Sequence, residues 1–224
     1  MKSIVISIGG SVILSDHADI AFLKKLGQIL KSYSQTYKIY VVIGGGKTAR
    51  EYIQKGRKLQ FTEETLDEIG IDITRVNAKL LTHIIRISNR KIPETTDDAK
   101  NMEEAIVIMG GTTPGHSTDM VGAELAEKTQ AERYIIATNV DGIYDKDPNK
   151  HPNARQLKQV TIDNLIQTYG TDWQTAGKNM VVDGPALQII KQSKIPTYVV
   201  NGKRLEQLQK AISDQSFDGT QILL

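Results

Sequence analysis

Short apolar runs rich in β-branched residues recur along the chain, separated by stretches of helical spacing. Runs of this length and composition are typical of strands buried on both faces of a parallel sheet. Five such runs stand out, and a Gly or Asn follows each: residues 4–8, 39–43, 105–109, 134–138 and 197–200. The alternation of strands with helices predicts an α/β fold with a doubly wound, mainly parallel sheet, whose ligands bind at the carboxyl ends of the strands.

Apolar residues three and four positions apart predict the helices. One pattern runs from Leu23 to Tyr33, and the longest runs from Ile69 to Ile87, in a segment that opens near Thr62 and closes before Pro93. A helix of roughly 25 residues would be roughly 40 Å long. A helix of that length often packs against a second subunit, although a core helix of the same subunit has the same pattern. Weaker patterns predict helices at residues 118–129, 161–168, 185–192 and 205–212, and a loop or hairpin at residues 141–157.

The charges are nearly balanced over the 224 residues, with 28 Lys and Arg against 26 Asp and Glu. A formal net charge of +2 argues against a nucleic-acid or membrane-surface partner. The chain has no cysteine, which excludes disulfides, cysteine-ligated zinc, iron–sulfur clusters and thiol nucleophiles. It has neither an apolar run of the ~20 residues that span a bilayer nor a signal-peptide pattern at its start. We therefore expect a cytoplasmic protein.

Four loops that follow predicted strands are rich in glycine or in small hydroxylated residues. Glycines let backbone N–H groups approach a ligand closely, and a helix that follows directs the positive end of its dipole to the same place. A single glycine pair after a strand is usually only a tight turn. Four such loops at one edge of a sheet indicate a site for a polyanionic ligand, and they comprise residues 9–11, 44–47, 110–115 and 138–142.

Two common phosphate-binding patterns were compared with the second of these loops. The P-loop requires a glycine at position 41, where the chain has Val41. The relaxed Rossmann pattern fits Gly44, Gly46 and Ala49, so a nicotinamide-dependent oxidoreductase stays open as an alternative. The lysine and arginine after the loop, Lys47 and Arg50, are three residues apart and share one helix face. Either alone is compatible with an ordinary surface charge, but together they suit phosphates better than a nicotinamide ring.

With these residues in view, the chain resembles the amino acid kinase superfamily, and within it the archaeal type of UMP kinase. The similarity runs from end to end, and its motifs are residues 8–11, 41–50, 67–71, 110–119 and 138–144. The resemblance implies a three-layer αβα sandwich formed by residues 1–224 as one domain. In this family the N-terminal half, about residues 1–130, binds the acceptor UMP, and the C-terminal half, about residues 131–224, binds ATP. The implied reaction transfers the ATP γ-phosphoryl group to UMP, giving UDP and ADP.

The resemblance also assigns site residues by matching position. The implied catalytic residues are Lys47, Arg50 and Asp119. The implied ATP contacts are Gly9, Gly10, Ser11, Gly46, Arg50, Thr138, Asn139, Tyr144 and Asp147. The implied UMP contacts are Gly45, Asp67, Thr112, Thr113, Pro114, Gly115, His116, Ser117 and Thr118.

Three of these residues have a structural role as an alternative. Asp119 either orients the groups around the phosphates or caps the helix that follows, and the two roles are compatible. Asp67 either accepts hydrogen bonds from the ribose hydroxyls of UMP or is a first-turn acid of the long helix. His116 either touches the transferred phosphoryl group or shapes its loop. No general base is required, because a phosphate monoester with a second pKa of about 6 is largely a dianion at neutral pH.

The chain departs from the common family pattern at one position. Many members have a lysine before the first glycine pair, whereas this chain has Ser7. The cation that stabilises the transition state is then Lys47, Arg50, Mg²⁺ or another basic residue. No carboxylate spacing predicts a metal site of the protein's own, so we expect Mg²⁺ to arrive with ATP, held by its phosphates.

Other members of the superfamily are the nearest alternatives to a UMP kinase. An isopentenyl phosphate kinase usually has a histidine soon after its glycine triplet, and residues 47–51 contain none. An acylglutamate kinase and a non-catalytic nucleotide-binding protein of the same fold also stay open. The resemblance implies a homohexamer built from dimers, with the long helix in the dimer contact, and the implied partners are ATP and UMP.

Overall fold

A mostly parallel sheet of seven strands forms the centre of the computed structural model, which describes residues 1–14, 20–148, 150–171 and 181–224. The strand order is β3-β2-β1-β4-β8-β9-β7, and β9 is antiparallel to β8. A separate two-stranded hairpin pairs β5 with β6. The strands are β1 (Lys2–Ile8), β2 (Tyr37–Ile43), β3 (Ile106–Met109), β4 (Arg133–Thr138), β5 (Ile143–Tyr144), β6 (Gln156–Leu157), β7 (Gln159–Thr161), β8 (Thr197–Asn201) and β9 (Gly219–Leu223).

The helices lie between the strands in sequence and cover both faces of the sheet. In the described part of the chain they are α1 (Gly10–Ile13), α2 (Ile20–Tyr33), α3 (Gly46–Lys58), α4 (Glu63–Ile85), α5 (Thr96–Asn101), α6 (Thr118–Lys128), α7 (Ile162–Tyr169), α8 (Gly184–Ser193) and α9 (Leu205–Ile212). None of these helices is both long and apolar enough to cross a membrane.

Alternation along the central strands divides the core into two layers. Ile4, Ile6 and Ile8 of β1 lie in one apolar cluster with residues of α2, α4 and α9. Val5, which points to the other face, lies in a second cluster with residues of α5, α6, α7 and α8. Two helical layers around one sheet form a three-layer αβα sandwich, so the predicted fold class is confirmed.

The five strands predicted from the apolar runs are confirmed, as are the helices and the hairpin within residues 141–157. The predictions did not include α1, α5, β7 or β9. The long helix begins where expected, since Thr62 accepts a hydrogen bond from Thr65 N at 3.2 Å as its N-cap. It ends at Ile85, two residues earlier than the apolar pattern, because Arg86 adopts a left-handed conformation with φ of 62°.

The apolar stripe that predicted α4 lies largely on the outer face of that helix. Val76 is 63% exposed and Leu80 is 41% exposed. The apolar residues that α4 buries are instead Leu66, Ala78, Leu81 and Ile85. This helix therefore has one apolar face in the core and a second one in contact with solvent.

Candidate active site

The glycine loops converge at the carboxyl edge of the sheet, as the predicted topology requires. Because β1 lies between β2 and β4, the loops that follow these three strands are neighbours. Gly9 N donates to Ala137 O at 3.0 Å, and Gly44 N donates to Ile8 O at 2.9 Å. These bonds hold the ends of the three strands together.

The first and second glycine loops pack without room for side chains. A Cβ on Gly10 would lie 2.2 Å from Gly46 N and 2.4 Å from Gly44 O. Gly46 has a φ of +68°, a conformation that other residues rarely adopt. Both positions therefore require glycine, and the result is a surface of backbone amides at the start of α3.

Two adjoining cavities open along these loops. The smaller, of about 220 Å³, is lined mainly by backbone of the glycine loops together with Arg50, Thr118 and Asp119. The larger, of about 380 Å³, combines apolar, aromatic and charged side chains. Thr138 and Val181 line both, so the two form one cleft. The polar end suits phosphates, and the larger end has room for a base and ribose.

The larger cavity collects the residues predicted for the base and ribose of ATP. Thr138 ends β4 and Asn139 follows it, and Tyr144 and Asp147 come from the segment that contains β5. Partial burial raises the pKa of Tyr144, so its hydroxyl stays protonated and available as a hydrogen-bond donor. The predicted phosphate contacts Gly9, Gly10, Ser11, Gly46 and Arg50 all line the smaller cavity.

The two predicted cations have different surroundings. Arg50, on the first turns of α3, lines the smaller cavity. Lys47 is exposed, and its ammonium lies 3.9 Å from Glu51 on the same helix. Of the two, Arg50 is therefore the one that lines the cavity at the glycine loops.

Asp119 lies at the start of α6 with its carboxyl against β1. The Ser7 hydroxyl donates a hydrogen bond to Asp119 Oδ1 at 2.8 Å. Burial, and then the nearby charge of Asp183, raise the pKa of the Asp119 carboxyl to about 7. The alternative capping role belongs to Ser117, whose hydroxyl accepts from Met120 N at 2.9 Å. Asp119 is thus not the cap of this helix, and its carboxyl is directed to Ser7 and the cavity.

Residues 110–118, which we call the acceptor loop because the predicted UMP contacts 112–118 belong to it, are tied to both halves of the chain. On one side Asp67 Oδ2 accepts from Gly115 N at 2.7 Å. On the other, the Ser117 hydroxyl donates to Asp183, the N-cap of α8. His116 N donates to Thr113 O at 3.1 Å, which closes a turn inside the loop. The His116 Nδ1 atom is buried and has no hydrogen-bond partner among the described residues.

Several residues at this edge were not singled out from the sequence. Asp183 follows two valines and precedes Gly184 and Pro185, which is an N-cap pattern that sequence alone could have revealed. Thr74, Arg75 and Asn77 contact the glycine loops from α4 and have no local signature, because their partners are more than 30 residues away. Trp173, for which the sequence leaves a core or an interface role open, lies outside the described residues.

Comparisons with known proteins agree with this architecture. A model of the amino acid kinase family matches residues 2–201. A uridylate kinase from Thermococcus kodakarensis is 43% identical over 205 residues, which cover 89% of this chain and 90% of that protein. A uridylate kinase from Methanobrevibacter smithii is 41% identical over 223 residues, with 98% of each covered.

Solved structures give the same result. The crystal structure of uridylate kinase from Archaeoglobus fulgidus superposes with a TM-score of 0.87 at 38% identity and covers all of both chains. An isopentenyl phosphate kinase structure superposes with a TM-score of 0.71 at 14% identity, which shows a shared fold only. The resemblance stated from the sequence is therefore confirmed, and this chain belongs to the amino acid kinase family, in the branch of the archaeal uridylate kinases.

Proposed function

We propose that this chain is a UMP kinase that transfers the γ-phosphoryl group of ATP to UMP and releases UDP and ADP. The relatives at about 40% identity bear the name uridylate kinase. The observation that carries the proposal is the continuous cleft, in which a cradle of backbone amides joins a larger cavity and borders the acceptor loop.

The cleft suits a donor nucleotide with its phosphates at the glycine loops. The larger cavity would hold the base and ribose of ATP, and the amides at the start of α3 would meet its phosphates. Arg50 adds a cation at the same place. The division into an acceptor half at about residues 1–130 and a donor half beyond them stays a prediction.

The acceptor phosphate would lie between the second glycine loop and the acceptor loop. An oxygen of the UMP phosphate attacks the γ-phosphorus, and the bond from this phosphorus to the bridging oxygen of ADP breaks. The attacking oxygen carries no proton to be removed at neutral pH, so the residues of the site act by positioning and by neutralising charge. Backbone amides and Arg50 do this without the lysine that Ser7 replaces.

The donor set of the cleft fits Mg²⁺. Within the described part of the chain neither the Asp119 nor the Asp183 carboxyl has an ion-pair partner, and the pKa of each is raised chiefly by burial. No group of three or more His, Asp or Glu residues there is arranged as a metal site. Mg²⁺ commonly binds through one or two carboxylates together with substrate phosphates, so Asp119 would hold it beside ATP. When bound, the ion supplies charge neutralisation at the phosphates.

Turnover with a panel of acceptors tests the proposed function. ADP release is measured with UMP, CMP, dUMP, isopentenyl phosphate and N-acetylglutamate at equal concentrations. We expect the highest kcat/KM with UMP. A clear preference for isopentenyl phosphate or N-acetylglutamate would reject a nucleotide acceptor, and ATP binding without turnover would indicate a non-catalytic protein. Binding of NADH in place of ATP would favour the oxidoreductase alternative.

We also propose that the chain forms a homohexamer built from dimers, in the cytoplasm. Val76 and Leu80 form an exposed apolar face on α4, and Tyr52 and Phe61 are exposed as well. Apolar patches of this kind mark protein–protein contacts. Sedimentation equilibrium at micromolar concentration is expected to give a hexamer, and Val76→Glu to give smaller species. A wild-type monomer would contradict this assembly.

A further inference from the structure

Helix α4 lies behind both the second glycine loop and the acceptor loop. Within it, Thr74 is 6% exposed and Asn77 is 3% exposed, although both side chains are polar. Neither residue belongs to the predicted nucleotide contacts. A buried polar side chain is costly unless it makes hydrogen bonds, so the partners of these two residues indicate their role.

Thr74 contacts both loops with one side chain. Its hydroxyl donates to Ile71 O in its own helix at 2.6 Å and accepts from Gly111 N at 2.6 Å. A Cβ on Gly45 would lie 3.6 Å from the Thr74 methyl carbon, an ordinary packing distance. The acceptor loop thus rests on the hydroxyl, and the second glycine loop rests beside the methyl group.

Asn77 holds the second glycine loop from one turn further along the helix. Its amide donates to Gly44 O at 2.9 Å and, more weakly, to Gly45 O at 3.4 Å. These carbonyls lie in the second glycine loop, between the end of β2 and the start of α3. Their orientation therefore sets the direction in which the following N–H groups point.

The acceptor loop also touches the helix backbone itself. A Cβ on Gly110 would lie 2.8 Å from Arg75 N, so only glycine lets the loop approach this closely. Arg75 donates to Gly111 O at 3.3 Å and to Thr112 O at 3.4 Å. The start of the acceptor loop is consequently fixed to α4 at several points.

From these contacts we infer that Thr74 and Asn77 are positioning residues that hold the acceptor loop and the second glycine loop in one fixed relation. Neither acts on substrate directly. Thr74 sets the acceptor loop, and Asn77 sets the amide cradle that both nucleotides share. The assignment of the two loops to UMP and ATP rests on the proposed function, whereas the contacts with α4 do not.

Thr82, in the same helix, provides a matched control that separates a positioning role of Thr74 from a purely structural one. Thr82 is 7% exposed, and its hydroxyl donates to Lys79 O at 2.8 Å, the same intrahelical bond that Thr74 makes. Its hydroxyl contacts neither loop in the hydrogen bonds of the described residues. Thr82→Val and Thr74→Val remove the same helix bond, and only the second removes the bond to Gly111.

The experiment compares the steady-state kinetics of Thr74→Val, Thr74→Ser and Thr82→Val. We expect Thr74→Val to raise the KM for UMP about tenfold, equivalent to ~1.4 kcal/mol, with little change in the KM for ATP. Thr74→Ser retains the hydroxyl and should stay near wild type, and Thr82→Val should match wild type in both constants. If Thr74→Val does not fold, Thr74→Ala, which adds no methyl group in place of the hydroxyl, is measured instead.

For Asn77 the control is Asn89, a buried asparagine. Its amide donates to the carbonyl oxygen of Ile108 in β3 at 2.8 Å. Asn77→Ala should lower kcat and raise both KM values, whereas Asn89→Ala should change only the unfolding temperature. Equal kinetics for Thr74→Val and Thr82→Val, or for Asn77→Ala and Asn89→Ala, would overturn the inference.

The outcome is separable from that of the proposed function. Turnover of UMP by the wild-type protein decides the function alone. The positioning role is decided by the difference between each variant and its control, measured with whichever phosphorylated acceptor the wild-type protein uses best.

Discussion

The Ser7 hydroxyl donates a hydrogen bond to Asp119 Oδ1 at 2.8 Å, and this bond joins the end of the first strand to the first turn of α6. Both residues adjoin the amide cradle. Ser7 is 2% exposed, so its hydroxyl has little access to water as another partner. The bond favours the ionised carboxyl, against the burial that raises its pKa.

Removing this donor is expected to reduce turnover. A hydrogen bond to a charged group contributes ~1.5–3 kcal/mol, so Ser7→Ala should lower kcat roughly tenfold or more. Ser3→Ala is a matched control, because the Ser3 hydroxyl lies on the same strand and donates to Thr129 O at 3.1 Å, at the opposite end. Steady-state kinetics of both variants test this, and an equal kcat for the two would show that the bond to Asp119 has no catalytic role.

The Asp119 carboxyl makes the stability of the ligand-free protein depend on pH. Its pKa is about 7 in the folded chain and ~3.9 in the unfolded chain, so between these values the folded state binds more protons. This contribution to stability is fully present below about pH 4 and is lost as the pH rises through about 7. Thermal unfolding at intervals from pH 5 to 8 measures it.

The Asp119→Asn variant isolates that contribution from those of other carboxyl groups. We expect the variant to unfold at a higher temperature than wild type at pH 8, with a smaller difference at pH 5, and to lose most of its turnover. Stability differences that do not change with pH would contradict the raised pKa.

Arg50 and Lys47 should differ in their effect on ATP use. Both residues are exposed, but only Arg50 lines the phosphate end of the cleft, and the Lys47 ammonium lies 3.9 Å from Glu51. Arg50→Ala should raise the KM for ATP more than that for UMP and lower kcat/KM by about a hundredfold, equivalent to ~2.7 kcal/mol. Lys47→Ala should stay within about threefold of wild type, because exposed ion pairs contribute ~0–1 kcal/mol. Kinetics with each substrate varied in turn decide this, and the opposite ranking would place the catalytic cation at Lys47.

Asp67 is expected to contact both the acceptor loop and the ribose of UMP, and a comparison of UMP with dUMP separates the two contacts. Its carboxylate accepts from Gly115 N at 2.7 Å, and we predict that it also accepts from a ribose hydroxyl of UMP. Wild type should then prefer UMP over dUMP about tenfold or more, since a charged hydrogen bond contributes ~1.5–3 kcal/mol. Asp67→Ala should raise the KM for UMP and reduce this preference, with exposed Glu68→Ala as the control. An unchanged preference in Asp67→Ala would leave only the loop contact.

The sequence predicted the elements whose burial is visible in a local pattern. The central strands are apolar on both faces, so their runs are easily recognised, and the glycine loops follow them directly. Strand β9 was not predicted, because it buries a polar residue, Thr220, whose hydrogen-bond partners are distant in sequence. The Thr220 hydroxyl accepts from Ile143 N at 2.8 Å and donates to Leu157 O at 2.5 Å. Nothing near residue 220 in the sequence indicates those contacts.

The residues of the candidate site likewise fall into those that a local sequence pattern predicted and those that it did not. Glycines and charged residues that follow strands were predicted, because a parallel sheet brings its carboxyl ends together whatever else it contains. Asn77, by contrast, interrupts an apolar helical pattern, and its buried position is explained only by the carbonyls of Gly44 and Gly45. The exposure of Val76 likewise depends on tertiary packing, because helical periodicity does not indicate which of two apolar faces is buried.

Gly10 tests whether the amide cradle depends on the close approach of two loops. A Cβ at this position would meet Gly46 N at 2.2 Å, and backbone atoms cannot move aside as a flexible side chain can. Gly10→Ala should therefore push the two loops apart, lower the unfolding temperature and abolish turnover.

At the neighbouring Gly9 the nearest atom to a Cβ would be Ala137 O at 3.6 Å, an ordinary contact. Gly9→Ala should consequently fold as wild type does and bind ATP more weakly only if the methyl group faces the phosphates. Calorimetric unfolding together with ATP titration distinguishes the two variants, and equal unfolding temperatures would show that the cradle tolerates separation of its loops.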